Sequence, residues 1–378
     1  MTRIPFNLLD RRTYGSIGIR VGTLAPFSHA ALCIEPGLMI EAISTGVCRL
    51  ALGAAGVRSK KNVKLLRPSL RIGDMVARRA THFGHQYLSR GYSMKGAVGA
   101  RVPLLRDPRR GDMFCSQLVA RAYEEARCPL LEGEKPEKIA PGDLLKSRLL
   151  VDVTDHALIE VRRDEPMSFY LDEASRFERL GHWEVRTKLE ILRSAPVAGQ
   201  LQEMRQSPAS FFELEKLLRV CETPELDIAV HRQLSARQFE ANYVARALEP
   251  LQLASLEDVH GPSFAARFVH EGDLLAQLDD ASLRLQLLEA ESTISSFRED
   301  VTARRNDIAT WSRHRTAANE RTFSYLEALQ RRLTPVSERI LALSESELAI
   351  LQAEEKRRRA TAPAGNPRAE TEPPSELA

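Results

Sequence analysis

A thiol that attacks a carbonyl needs a raised thiolate fraction, a base within hydrogen-bond reach and a group that holds that base in one orientation. Of the five cysteines, Cys33, Cys48, Cys115, Cys128 and Cys221, only Cys115 has a sequence setting suited to the first requirement. In RRGDMFCSQLVARAYEEA it falls in the first turn of a helix read over residues 113–126, with Asp112 as the N-cap. Free N–H groups and the helix dipole favour an anion there. The same cysteine shares a helical face with Leu118, Val119 and Ala122, so residue type alone would assign it to a core. His29 opens the strand-like HAALCIE, where His29, Ala31 and Cys33 point one way and Ala30, Leu32 and Ile34 the other. A histidine at a strand's start is well placed to act as a base, although an ordinary rim histidine fits the same position. Cys33 shares that face but sits inside the strand with no helix end to ionise it, which makes it a structural residue.

Glu41, in LMIEAIS, is the candidate for the orienting group, and turn geometry decides whether it serves. A two-residue turn at Pro36-Gly37 sets Glu41 opposite Leu32, on the wrong face from His29. A three-residue loop at Glu35-Pro36-Gly37, with Gly37 left-handed, sets it opposite Ala31 and beside His29. A catalytic role for Glu41 therefore predicts the wider loop, whereas a solvated strand glutamate makes no such demand.

The elements that must position these residues come from the first 155 residues. Segments 17–21, 30–35, 38–44 and 63–67 read as strands, aliphatic and bounded by turn formers. Residues 72–88 have helical spacing, with Met75, Val76, Arg79, Phe83 and Tyr87 on one side, and a loop over 91–110 leads to the Cys115 helix. Between about residues 150 and 163 the composition changes to one rich in Leu, Glu, Arg and Ala and poor in Gly. The chain thus divides into 1–155, an all-α region with long, partly coiled-coil-like helices at 156–355, and a tail at 356–378 that lacks apolar residues to bury and is expected to be disordered. Leu274, Leu278, Ala281, Leu285 and Leu288 form one heptad-like seam, Ile294, Phe297, Val301, Ile308 and Trp311 resume it, and Phe323 to Leu343 carry a third. Thr334-Pro335 reads as an N-cap and first helical residue, hence a helix break.

Three segments of the first part resemble one family. SHAALCIEPGLMIEAISTGV places a polar residue twelve positions after a strand histidine, FCSQLVARAYEEA looks like a nucleophile helix, and KIAPGDLLKSRLLVDV is similar to a closing Pro-Gly-Asp segment. Together they resemble the permuted NlpC-type papain-like cysteine hydrolases, the YiiX-like branch, in which the histidine precedes the cysteine. The resemblance covers roughly residues 14–155. It implies an α+β fold: a circularly permuted papain-like domain with an antiparallel sheet and a nucleophile helix, followed here by the all-α region. It implies Cys115 as nucleophile, His29 as general base and acid, and Glu41 as third residue of an amidase or peptidase. One oxyanion donor would be the Cys115 backbone N–H; Tyr92 and Gln117 are candidates for the second. Arg127-Cys128 stands where many relatives end the helix at glycine.

Other features point away from further chemistry. His82 and His85 lie three apart on a helix but have no carboxylate or thiol at ligand spacing, so no metal is expected. Gly15, Gly18 and Gly22 form no phosphate-cradling pattern, and no cofactor is expected. Lys356 to Arg359 follow two glutamates and read as a solvated helix end. Lys and Arg total 54 against 51 Asp and Glu, a near balance that gives no basis for nucleic-acid binding. No apolar run reaches the length of a membrane span, the five cysteines form no disulfide framework, and the start carries no signal sequence. A cytoplasmic chain acting on a peptide or amide is the expectation, with the helices available for self-association or a protein partner. Two competing expectations are a degenerate papain-like scaffold whose helices bind a partner, and a lipid acyltransferase or amidase.

Overall fold

The computed structural model describes residues 7–10, 27–35, 38–51, 63–69, 73–100, 111–157, 169–269 and 272–361. The expected strand at 17–21, the glycines Gly15, Gly18 and Gly22, and the tail beyond residue 361 lie outside them.

Six strands form one antiparallel sheet: β1 (Asn7–Asp10), β2 (His29–Glu35), β3 (Leu38–Ile43), β4 (Gly46–Ala51), β5 (Val63–Pro68) and β6 (Leu150–Asp152), in the order β4-β3-β2-β1-β5-β6. The expected strand at 38–44 stops at Ile43, because Ser44 and Thr45 form a tight turn that returns the chain as β4. β1, β4 and β6 carry too few β-branched and aromatic residues, or are too short, to stand out in the sequence.

Among the described residues three helices longer than one turn belong to this unit: α1 (Gly73–Gln86), α2 (Met94–Gly99) and α3 (Cys115–Glu125). α1 and α3 cover one sheet face, where Ala30, Leu32, Ile40, Ala42 and Val47 join Val76, Ala80, Leu118, Val119 and Tyr123 in the larger core. Each large aliphatic side chain buried this way contributes about 1.5–3 kcal/mol. The buried side of α1 differs from the expected one, since Met75 is 49% exposed and Arg79 is exposed, while Ala77, Ala80 and Gly84 face inward. Small residues let this helix lie close to the sheet: a Cβ on Gly84 would come within 2.7 Å of Leu32 Cδ2. On the opposite face Ala31, Cys33, Met39, Leu50, Val63 and Leu65 form a smaller cluster, and Cys33 is buried in it.

The helical region comprises α4 (Phe169–Leu192), α5 (Ala195–Glu203), α6 (Phe211–Val220), α7 (Pro224–Ala236), α8 (Phe239–Leu251), α9 (Gly272–Gln277), α10 (Asp280–His314) and α11 (Glu320–Thr361). Among the described residues no helix is long and apolar enough to cross a membrane. α4 lies across the β4 edge, where Val185 and Leu189 cover Cys48 and Ile43. α10 and α11 pair antiparallel: Arg358 bonds Asp280, Arg298 bonds Glu345, Arg305 bonds Glu338 and Arg315 bonds Glu327.

Three expectations about these helices are corrected. The first seam crosses a helix boundary, because Asp279 caps α10 by accepting from the Ser282 N–H at 2.7 Å, and Leu288 is 42% exposed while Leu283 and Ala290 are buried. α11 runs through Thr334-Pro335 without a break. Its flanking Leu333, Val336 and Ile340 are buried, and that packing outweighs the roughly 3 kcal/mol an interior proline costs. Finally, the helix persists five residues past Lys356 to Thr361, held by Arg357 and Arg358 on Glu354 and by Arg358 on the Leu275 and Leu278 carbonyls.

Candidate functional site

Cys115 is the first residue of α3, two residues later than the expected helix start. The cap also differs. Phe114 occupies the N-cap position, and its N–H donates to Gln117 Oε1 at 3.4 Å. Asp112 instead accepts from Arg193 of the helical region at 3.2 Å. Gln117 therefore turns back on its own helix start. Ser116 Oγ donates to the Ile139 carbonyl at 2.8 Å, and Asp143 caps the following Pro141–Lys146 turn by accepting from the Ala140 N–H at 2.9 Å. These bonds tie the KIAPGDLLK segment to the first turn of α3.

Glu41 stands opposite Ala31, the register required for it to reach His29. The means is different from a three-residue loop. Glu35 pairs with Leu38, and the extra residue is taken up as an irregularity between Cys33 and Glu35; Pro36 and Gly37 lie outside the described residues. One unpaired residue, Ile34, shifts every later pair by one and so exchanges the faces of β3. Ile34 is anchored in the larger core at 3% exposure.

Given that register, His29 Nε2 and Glu41 Oε2 lie 2.7 Å apart. Glu41 is buried and the His29 side chain is 22% exposed. Cys115 interacts with the same imidazole through a side-chain hydrogen bond, and its Sγ lies 4.0 Å from the Ser28 carbonyl oxygen. Because Nε2 is taken by Glu41, Nδ1 is the nitrogen left for sulfur. Burial by itself lowers the His29 pKa, but the hydrogen bonds and charges of Cys115 and Glu41 outweigh it and hold the ring well above the ordinary 6.5. His29 is thus the link between a sulfur on a helix start and a carboxylate on the neighbouring strand. Cys115 is 1% exposed, so the imidazole is the more open of the two.

Tyr92 adjoins the sulfur. Its loop bridges to the residue preceding Phe114, with Met113 N–H on the Gly91 carbonyl and Ser93 N–H on the Met113 carbonyl. A Cβ on Gly91 would collide with Asp112 Oδ1 and Arg193 Nη2, so a side chain there would displace that ion pair. Burial, then the charge of the nearby Cys115, raise the Tyr92 pKa and keep its hydroxyl a donor.

Two residues that sequence reasoning left aside also reach this site. Cys48 pairs with Glu41 across β3 and β4, and His182 arrives from α4; ligand-type atoms of Glu41, Cys48 and His182 all lie within 4.8 Å of one another. Glu41 Oε2 is committed to His29, and Cys48 and His182 hold partners of their own, so no metal is assigned to this trio. Nothing in the sequence around His182 separates it from any other helical histidine. His82 and His85 do not converge: His82 bonds Gln86 at 3.1 Å, and His85 bonds Glu299 at 3.1 Å. The sequence matches no protein-family model, and no curated protein matches it.

Proposed function

We propose that this chain is a papain-like cysteine hydrolase of permuted order, acting on an amide or peptide bond, in keeping with its resemblance to the NlpC-type, YiiX-like branch. The observation that carries the reading is the single imidazole bonded to both Cys115 and Glu41, with Nε2 to Oε2 at 2.7 Å. The Cys115 thiolate attacks the carbonyl carbon, and the carbonyl electrons move onto oxygen. That oxygen is received by the Cys115 backbone N–H at the helix start and by the Tyr92 hydroxyl. The His29 imidazolium gives its proton to the leaving nitrogen as the carbon–nitrogen bond breaks. The neutral ring then takes a proton from water, which attacks the thioester and releases the acid and the thiolate. Glu41 holds the ring in the orientation that presents Nδ1 to sulfur.

The test is alkylation with iodoacetamide at pH 7, read by peptide mass spectrometry. Cys115 is expected to react faster than the other four cysteines, and His29→Ala to abolish that advantage. Equal reaction at all five would overturn the reading. The 1% exposure of Cys115 supports a second reading, a scaffold that keeps the fold without the activity. Under it, Cys115 would stay unlabelled in the folded chain and react only on unfolding.

A further inference from the structure

A cavity of about 710 Å³ lies between α1 and the helical region, inside the range of about 300–1,000 Å³ typical of small-molecule sites. Its walls are chemically unlike. α8, α11, Phe264 and Phe268 present mainly apolar side chains, among them Phe239 and Val336, with Arg267 held on the Leu251 carbonyl at 2.6 Å and over the Phe264 ring, whereas α4, α6 and α10 present charged ones. A void of this size beside an apolar wall forfeits packing that an occupant restores.

Most charges on the polar wall are matched in pairs. Lys188 bonds Glu184 at 2.7 Å and Arg304 bonds Asp300 at 2.6 Å. Arg49 and His85, from the sheet unit, both turn to Glu299, at 3.9 and 3.1 Å. Two carboxyls are left over. Glu215 of α6 and Asp307 of α10 both line the cavity, and among the described residues neither has a cation within 4 Å. Lys188 and Arg219 act on Glu215, and Lys188, Arg49 and Arg219 on Asp307, only at longer range, and the indole of Trp311 donates to Glu215. Burial pushes the Glu215 carboxyl up to about 7, with the charge of Asp307 adding to the effect, and burial raises Asp307 as well. Two neighbouring carboxyls with no cation of their own, facing an aromatic wall, make a site for a positive charge attached to an apolar body.

We propose that this cavity binds an amphiphile with a protonated amine head and an aliphatic tail, the ammonium between Glu215 and Asp307 and the tail along Phe239, Phe264, Phe268 and Trp311. An anionic head group of the same length would meet two carboxylates and be disfavoured. The site uses none of Cys115, His29 or Glu41, so it stands or falls apart from the hydrolase reading.

The test uses the full chain carrying Cys115→Ala, titrated at pH 8 with dodecylammonium chloride below its micelle concentration, with dodecanoate as the anionic control. Calorimetry reads binding directly. In a Trp183→Phe background, the emission of Trp311, then the sole tryptophan, reports occupancy of the cavity. Saturable binding of the amine is expected, about tenfold or more tighter than dodecanoate, a difference of about 1.4 kcal/mol or more. Glu215→Gln and Asp307→Asn should each weaken it by about tenfold, on the scale of a lost charge pair. Absence of saturable binding, equal or tighter binding of dodecanoate, or unchanged affinity in both carboxyl variants would overturn the proposal. The head-group comparison needs neither carboxyl variant, so it remains decisive if either fails to fold.

Discussion

The β2–β3 hairpin and the α10–α11 hairpin each contain a local irregularity, and they respond to it in opposite ways. In β2 a single unpaired residue, Ile34, decides which face of β3 carries Glu41, and so whether His29 has a carboxylate at 2.7 Å. In α11 a proline in the interior interrupts neither the continuity nor the pairing of a 42-residue helix. A strand has a side-chain period of two, so one residue gained or lost inverts every position beyond it. A helix buries a stripe along its whole length, and one missing hydrogen bond is a small fraction of that total. The proposed chemistry takes its base and its carboxylate from the element where position is all-or-none. The tolerant element forms a wall of the cavity.

Deleting Met39 should break this contrast with the largest effect. With one residue fewer in β3 between Leu38 and Glu41, Glu41 moves opposite Leu32, and the Cys115 alkylation advantage should fall by about 10²–10⁴-fold, the usual worth of an oriented acid–base group. Met39→Ala keeps the register and should retain the advantage while costing about 2–5 kcal/mol of stability in chemical denaturation. If both variants lose reactivity equally, packing and not register supports the site.

The helical region should show its own sensitivity through charge. Folded Glu215 holds a proton between about pH 4.5 and 7 that the unfolded chain has released, so its burial lowers stability as pH rises across that window, and the full cost stands above 7. Glu215→Gln should therefore raise stability by up to about 3 kcal/mol at pH 8 and leave it nearly unchanged at pH 4. An equal effect at both pH values would show that charge is not the cause. Pro335→Ala, at an exposed position, should add about 1–3 kcal/mol without altering Cys115 reactivity.

The smallest effect concerns His29 itself. Its folded pKa is raised, so its partners stabilise the fold fully below about pH 6.5, and that contribution is lost as pH rises through the folded value. An NMR titration of the ring should give a midpoint above 6.5, moving down in Glu41→Gln and in Cys115→Ala. A midpoint unmoved by both changes would detach the imidazole from its two neighbours.

Much of the site was legible because local pattern carries it. HAALCIE alternates, so His29 and Cys33 share a face whatever the chain does elsewhere, and FCSQLVARAYEEA starts a helix within a residue or two of Cys115. The α+β class and the long helices follow from the same periodicities. The cap of α3 was not legible, because Asp112 fits a cap by type but is drawn to Arg193, a partner 81 residues away. The approach of Tyr92 and His182 was equally hidden, since each depends on a loop bridge or a helix crossing that no local spacing encodes.

By itself, the sequence determined which residues are candidates for the proposed chemistry and which side of their own element they occupy, because covalent geometry fixes the periods of strand and helix. Only the tertiary structure decided that Glu41 faces His29 through an unpaired Ile34, that Tyr92 adjoins Cys115, and that Glu215 and Asp307 share a cavity in which, among the described residues, neither has a cation within 4 Å. Each of those is a relation between elements far apart in the chain. It is set by how cores of fixed volume pack, which no single segment contains.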